Sequence, residues 1–356
     1  MGSRRGWFEE LSFRMGSERG QSIRIHASYN NWNGIRNLYG CKSVLMVKLE
    51  GLHVVTGAFG YTGRWIAHYL LERGAEVRTL TNSIGRDDPF DGKVEVHRYD
   101  FDDRTRLVES LKGVSVLYNT YWVRYTVSGE GFAHALAIKN SKKLFLAAKE
   151  AGVGKIVHVS VANPHKAPDW AYFRGKVIVE EFLKKMGVSY SIVRPTVLYG
   201  HRQDVLVNNI AWMLRRLPFF GMFGDGKYPV QPIYADDVAN ICIDQGQLSE
   251  NTVVDAAGPD TFEYKEFLQI MSDAMGRRNI FIPIPDWLTL MVGQFMGLLL
   301  QDIVITEAEI RGLRQGLTAS SEESLGTTSF REWAKENGND LGRIYRNDIK
   351  IRKYVK

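Results

Sequence analysis

The chain of 356 residues has only two cysteines, Cys41 and Cys242, so neither a disulfide framework nor a paired Cys-x-x-Cys metal site can be written from it. Its eight histidines form no pair at metal-ligand spacing; His53, His97 and His158 are expected to pack rather than ligate, and no metal is expected. There is no block of like charge. The formal net charge of +6 is modest, and much of it sits before residue 46, where Arg4, Arg5, Arg14, Arg19, Arg24, Arg36 and Lys42 face only Glu9, Glu10 and Glu18. The remaining body is near neutrality without a basic and aromatic stripe, which argues against nucleic acid as its main partner.

Long apolar runs are scarce as well. The longest uncharged stretch, "WLTLMVGQFMGLLLQ" at residues 287–301, is shorter than the ~20 apolar residues a membrane span needs and is interrupted by Gln294, so no transmembrane span is expected. It carries no Lys or Arg of its own, and a buried helix walling a substrate cleft is therefore the favoured expectation. The alternative is peripheral membrane contact through Trp287, Met291, Phe295 and Leu298. Residues 1–45 hold no period of 2 or 3.6 and no apolar central run; they are expected to be a disordered leader or not to be translated, "MVKLEGLHVVTG" from Met46 looking like a normal start for the first strand. With no secretory signal and two cysteines, a reducing, cytoplasmic setting is expected.

What is present begins at residue 52. Short β-branched runs at 52–57, 76–82, 93–100, 114–120, 155–160 and 190–196 alternate with helix patterns at about 64–73, 103–111, 131–151 and 171–186. That order predicts an α/β fold, a doubly wound parallel sheet of the Rossmann type over residues 46–200. After Gly200 the pattern turns mostly helical and predicts a smaller substrate-binding lobe over 201–350, with interleaved elements of the sheet, packed at the carboxyl ends of the strands.

Between the first strand and the first helix lies "VVTGAFGYTGRW", residues 54–65, with Gly57, Gly60 and Gly63 at a spacing of three. Gly57 permits a tight turn, Gly60 lets backbone approach a pyrophosphate, and Gly63 lets helix pack closely on sheet. The free N–H groups of the helix start, with Phe59, Tyr61 and Thr62, then face the phosphates. An NAD site usually places an acid ~20 residues further on; "TLTNSIGR" supplies Asn82 and Arg86 instead, so NADP is the expected cofactor and NAD the other candidate. Asp100 and Phe101, after the third strand, sit where an adenine edge could be met, a loop cap being the other reading of Asp100; Thr120 ends the fourth strand beside the turn.

"SVANPHKAPDWAYFRGK" places Ser160 at a strand end and Tyr172 and Lys176 four apart on the following helix, where they share a face. A phenol of pKa ~10 moves toward the working range beside a cation. With TGAFGYTG, RYDFDD, VSYSIVRPTVLYG and PIYADDVA in this order, the sequence resembles the extended and atypical short-chain dehydrogenase/reductases. Within them it looks like the branch holding the nucleotide-binding accessory subunit of respiratory complex I and related NAD(P)H-binding, epimerase-like proteins. The resemblance implies that Ser160 orients a carbonyl oxygen, Tyr172 transfers the proton, and Lys176 lowers the tyrosine pKa and holds the nicotinamide ribose. It also implies that the backbone at Pro195 and Thr196 meets the nicotinamide amide. Tyr121 and Trp122 depart from the small residues common there, narrowing the cleft or walling it with apolar surface. The expected function is an NAD(P)-dependent oxidoreductase or epimerase acting on a carbonyl or hydroxyl of a small, partly apolar molecule. The alternative is a nucleotide-binding assembly factor or sensor without turnover.

Overall fold

The computed structural model describes residues 48–82, 88–123, 130–201 and 204–352. The leader and Arg86 lie outside them. From Leu52 the chain alternates as expected: β1 (Leu52–Thr56), α1 (Tyr61–Glu72), β2 (Glu76–Thr81), β3 (Val94–Arg98), α2 (Arg104–Glu109), β4 (Val114–Asn119), α3 (Glu130–Glu150), β5 (Lys155–Val159), α4 (Ala171–Lys184) and β6 (Ser189–Pro195). Every pairing among these strands is parallel, and together with a later strand, β11 (Thr252–Ala256), they form a seven-stranded sheet in the order β11-β6-β5-β4-β1-β2-β3. Sequence order reverses between β1 and β4, and in open parallel sheets ligands bind in the crevice at such a reversal.

The sheet is buried on both faces, which is why β1 reads as a continuous apolar run rather than an alternation. Val55 faces Ile66, Ala67 and Leu70 of α1, while Val54 and Leu117 face Leu144 and Phe145 of α3 and Val179 and Leu183 of α4. Burial of Gly63, Ile66, Ala67 and Leu70 at spacings of three and four gives α1 its inward stripe.

Beyond Gly200 the chain holds more strand than its mostly helical pattern suggests. After β7 (Val197–Tyr199), which precedes that glycine, it forms α5 (Leu206–Arg216), β8 (Phe219–Phe223), β9 (Pro229–Val230), β10 (Pro232–Tyr234), α6 (Ala235–Gly246) and β11 (Thr252–Ala256). There follow β12 (Phe262–Glu263), α7 (Tyr264–Ala274), β13 (Ile280–Ile284), α8 (Asp286–Leu300), α9 (Glu307–Arg314), α10 (Phe330–Asn337) and α11 (Asp348–Arg352). β11 returns to the main sheet beside β6. β8 and β13 pair in parallel as a separate ribbon, Phe219 opposite Ile280. These are runs of five residues or fewer, too short for a period of 2 to declare itself. A second core, with Tyr199, Leu214, Phe267, Phe330 and Trp333, gathers the segment that follows β6.

The expectation for α8 is overturned: it does not wall a buried cleft. Trp287, Phe295 and Leu298 are 65%, 62% and 80% exposed, and only Thr289 and Gly293 are buried. The small residues face inward. A Cβ on Gly293 would lie 2.5 Å from the Ile305 side chain, and one on Gly297 2.7 Å from the Asp302 carbonyl oxygen. The helix therefore sits close against its neighbours and turns its large side chains outward. Among the described residues no helix is long and apolar enough to cross a membrane.

Candidate active site

Three backbone features shape the glycine turn. Gly57 has φ +67°, a left-handed conformation that L side chains rarely adopt, and its carbonyl accepts the N–H of Gly60 at 2.8 Å. A Cβ on Gly63 would lie 2.5 Å from that same carbonyl oxygen, so only glycine lets α1 start this close to the turn. No side chain caps the helix, whose first residues are Tyr61, Thr62 and Gly63. Uncapped N–H groups at the positive end of a helix dipole fit a pyrophosphate, and the turn presents them at the β1/β4 crevice.

The floor of the crevice is tied by side chains at strand ends. The Thr120 hydroxyl donates to the Thr56 carbonyl at 2.6 Å, the Thr56 hydroxyl receives the Thr120 N–H at 2.8 Å, and it donates to Asn119 at 3.2 Å. The Asn119 amide in turn donates to Nδ1 of His158 at 3.0 Å. Burial, with Lys176 nearby, pushes His158 well below the ordinary imidazole range and keeps it neutral. Phe59 is buried and stacks on Phe90, and the Tyr61 hydroxyl donates to the Gly200 carbonyl at 3.2 Å.

At the end of β2, Thr81 is buried, Asn82 is exposed, and register places Arg98 of β3 opposite Thr81. Arg98 was not singled out by sequence reasoning; strand register, not spacing, brings it there. Asp100 behaves as a loop cap, accepting the N–H groups of Asp102 and Asp103 at 3.2 and 3.1 Å. Phe101 stacks on Tyr99 with centroids 4.3 Å apart and tilts against Tyr121.

Tyr172, Lys176 and Glu180 occupy successive turns of α4 along one face. Lys176 is brought to Tyr172 but is engaged elsewhere. Its ammonium donates to the Val159 carbonyl at 3.1 Å and lies 4.3 Å from the centre of the Trp122 ring, against 5.9 Å for Tyr172. Burial lowers its pKa to about 7, with the Glu180 carboxylate pulling the other way. Trp122 stands edge-on to Tyr172 at 5.8 Å, so the bulky residue noted after the fourth strand covers both groups. The Ser160 hydroxyl donates to Glu180 at 2.5 Å. Glu180 is fully buried and also receives Nε and a terminal nitrogen of Arg194 at 3.1 and 2.5 Å. Sequence reasoning missed this pair; its one local signal is a carboxylate four residues beyond Lys176 on the inward face of α4. At the end of β6 the Pro195 carbonyl accepts the Ala162 N–H at 2.9 Å, and the Thr196 N–H donates to Ala256 at 3.0 Å.

A parallel sheet with a glycine turn at its topological switch and a Tyr and Lys on the helix after β5 defines an NAD(P)-binding Rossmann fold of the epimerase and reductase type. The chain belongs to the NAD dependent epimerase/dehydratase family, whose model matches residues 53–248. It is similar to the mitochondrial NADH-ubiquinone oxidoreductase 40 kDa subunit of Neurospora crassa, 25% identical over 261 residues that take in 70% of this chain and 66% of that one. A photosystem II assembly factor of Cyanophora paradoxa is 29% identical over 143 residues, 40% of this chain and 44% of that one. The chain thus spans less than two thirds of the length of these curated relatives. The structure of Citrobacter sp. triphenylmethane reductase complexed with NADP(H) matches with a TM-score of 0.63 at 17% identity, over 80% of this chain and 99% of that one, a likeness of fold.

Proposed function

We propose that this protein binds NADP(H) at the glycine turn and acts as an oxidoreductase or epimerase on a carbonyl or hydroxyl of a small, partly apolar molecule. One observation carries the reading: Tyr172 and Lys176 lie on one face of α4, next to the strand end bearing Ser160. When bound, the cofactor supplies or accepts hydride. The chain's part is to hold it at Gly57, Gly60 and Gly63, and to move a proton between the substrate oxygen and the Tyr172 hydroxyl. Because the Ser160 hydroxyl donates to Glu180, it offers a substrate oxygen no proton of its own, and proton exchange with that oxygen falls to Tyr172. Trp122 and Tyr121 supply an apolar wall.

Tyr172→Phe is expected to leave cofactor affinity within about twofold while lowering turnover ~10²–10⁴-fold, the usual worth of a positioned proton-transfer group. Cofactor fluorescence and nicotinamide absorbance with a panel of alcohols and carbonyls measure the two quantities. Full activity in Tyr172→Phe would overturn the assignment.

The absence of a carboxylate at the end of β2, with Arg86 following in sequence and Arg98 in register, supports NADPH over NADH. NADPH is expected to bind at least ~10-fold more tightly, as a charge-assisted phosphate contact would make it. Arg86→Ala and Arg98→Ala should each narrow the gap. Equal affinities for the two cofactors in the unaltered chain would sink this choice.

A second reading has its own support. With the Ser160 proton directed to Glu180 and Lys176 covered by Trp122, the site suits a protein that holds a nucleotide without turning it over, as an assembly factor or sensor. Tight NADPH binding together with inertness toward every substrate tried would favour it.

A further inference from the structure

We infer that α8 and the β8/β13 ribbon form a surface that seats on an anionic lipid bilayer. The helix is arranged opposite to one packed against a protein core: Thr289 and Gly293 face inward, while Trp287, Met291, Phe295 and Leu298 line the outside, with Val292 and Leu299 beside them. All six are between 48% and 80% exposed. Exposed apolar residues recur on the ribbon, whose β8 packs against α8: Phe219, Ile280 and Ile282 are 56%, 56% and 43% exposed. Isolated exposed apolar residues need no explanation, but so many on elements packed together mark a contact surface. A helix of 15 residues is ~22 Å long, too short to cross a bilayer core of ~30 Å, so it lies in the plane of the interface.

Charge identifies the occupant. α8 has no basic residue, but Arg215 and Arg216 precede Phe219 in sequence, and Arg277 and Arg278 precede Ile280, its partner in register. Arg215 and Arg216 donate to backbone carbonyls of residues 338–343 and to Trp212. Among the described residues none of the four arginines pairs with a carboxylate. Asp286 and Asp340 already pair with Arg314 and Arg343 at 2.6 and 3.5 Å. An anionic headgroup layer supplies negative charge beside an apolar interior, which matches unpaired arginines bordering an apolar face. The arginines thus provide from neighbouring strands the basic border that the helix lacks.

The test is co-sedimentation of the full chain with vesicles of phosphatidylcholine alone and of phosphatidylcholine mixed with phosphatidylglycerol. Binding is expected on the mixed vesicles and to weaken with added salt. Arg277→Ser with Arg278→Ser should lower partitioning on mixed vesicles by roughly 10- to 30-fold and leave the weak binding to neutral vesicles unchanged. Phe295→Ser with Leu298→Ser should lower both. NADPH affinity and circular dichroism report whether each variant is folded, and the arginine pair decides the matter if the helix variant is not. A chain that stays in the supernatant with both vesicle types overturns the inference. So does a dimer in sedimentation equilibrium that Phe295→Ser with Leu298→Ser dissociates.

Discussion

Arg194→Ala is expected to destabilise the protein by roughly 3–5 kcal/mol, the cost of leaving one partner of a buried ion pair uncompensated. Glu180 is fully buried, and Arg194 supplies two of the three hydrogen bonds its carboxylate receives, Ser160 the third. Burial works against the charge on Arg194, but the carboxylate more than offsets it and raises the guanidinium pKa. Removing the arginine leaves the buried carboxylate with the Ser160 hydroxyl as its remaining described hydrogen bond, His165 at 4.0 Å and the Lys176 ammonium acting on it only at longer range. Removing both charges is a different experiment: Glu180→Leu with Arg194→Met should recover most of the loss, since well-packed apolar pairs often match buried ion pairs. Denaturant titration of the two variants measures this, and a loss below about 1 kcal/mol in Arg194→Ala, the range of exposed pairs, would remove the pair from the fold's essential contacts.

Lys176→Met should stabilise the protein at neutral and mildly acidic pH and make that gain vanish at high pH. The folded-state pKa is lowered from 10.5 to about 7 by burial. Below that value the lysine is charged in both states and the folded chain bears the whole burden of a buried ammonium. Between about 7 and 10.5 the unfolded chain holds a proton that the folded one has released, so stability rises with pH by about 1.4 kcal/mol per unit. Above both values the burden is gone. The full difference corresponds to about 5 kcal/mol, from which the lost contact with Trp122 takes ~0.5–2. A net gain of about 3 kcal/mol at pH 6, absent at pH 10.5, is expected from chemical denaturation of the two proteins at each pH. Parallel pH profiles for Lys176→Met and the unaltered chain would show that the ammonium is not desolvated, and that Lys176 is available to a ribose as it stands.

The legibility of this molecule follows the range of the forces involved. The six strands through Pro195 and the helices between them were readable because each is a local hydrophobic pattern bounded by turns. The phosphate turn was readable because Gly57 and Gly63 answer to contacts a few residues away. β11 was not, since "TVVDA" is five residues inside a helical rhythm and becomes a strand through β6, some sixty residues earlier. α8 was misread because a run without charges looks the same whether it faces a core or an apolar surface. The discriminating signal was present in Thr289, Gly293 and Gly297, small residues on the face a buried helix would fill with large ones. At the candidate site the residue types of Ser160, Tyr172 and Lys176 were visible, but not their partners. Glu180 and Arg194 meet only when β6 is laid beside β5, and that encounter decides where the Ser160 proton points.

The place of β11 has a consequence for synthesis of the chain. As the polypeptide emerges from a ribosome, β1 to β6 can assemble once residue 195 is free, yet β6 is then an edge, with its outer backbone groups unpaired. The edge is closed only when Thr252–Ala256 arrives, after α5, the short strands and α6 have been made. A nascent chain halted between those points displays an apolar strand to any neighbour able to pair with it. α6, made just before Thr252–Ala256, packs on the β5 and β6 side of the sheet through Val238, Ile241 and Cys242, and so covers a face of the sheet while leaving the β6 edge to the strand that follows.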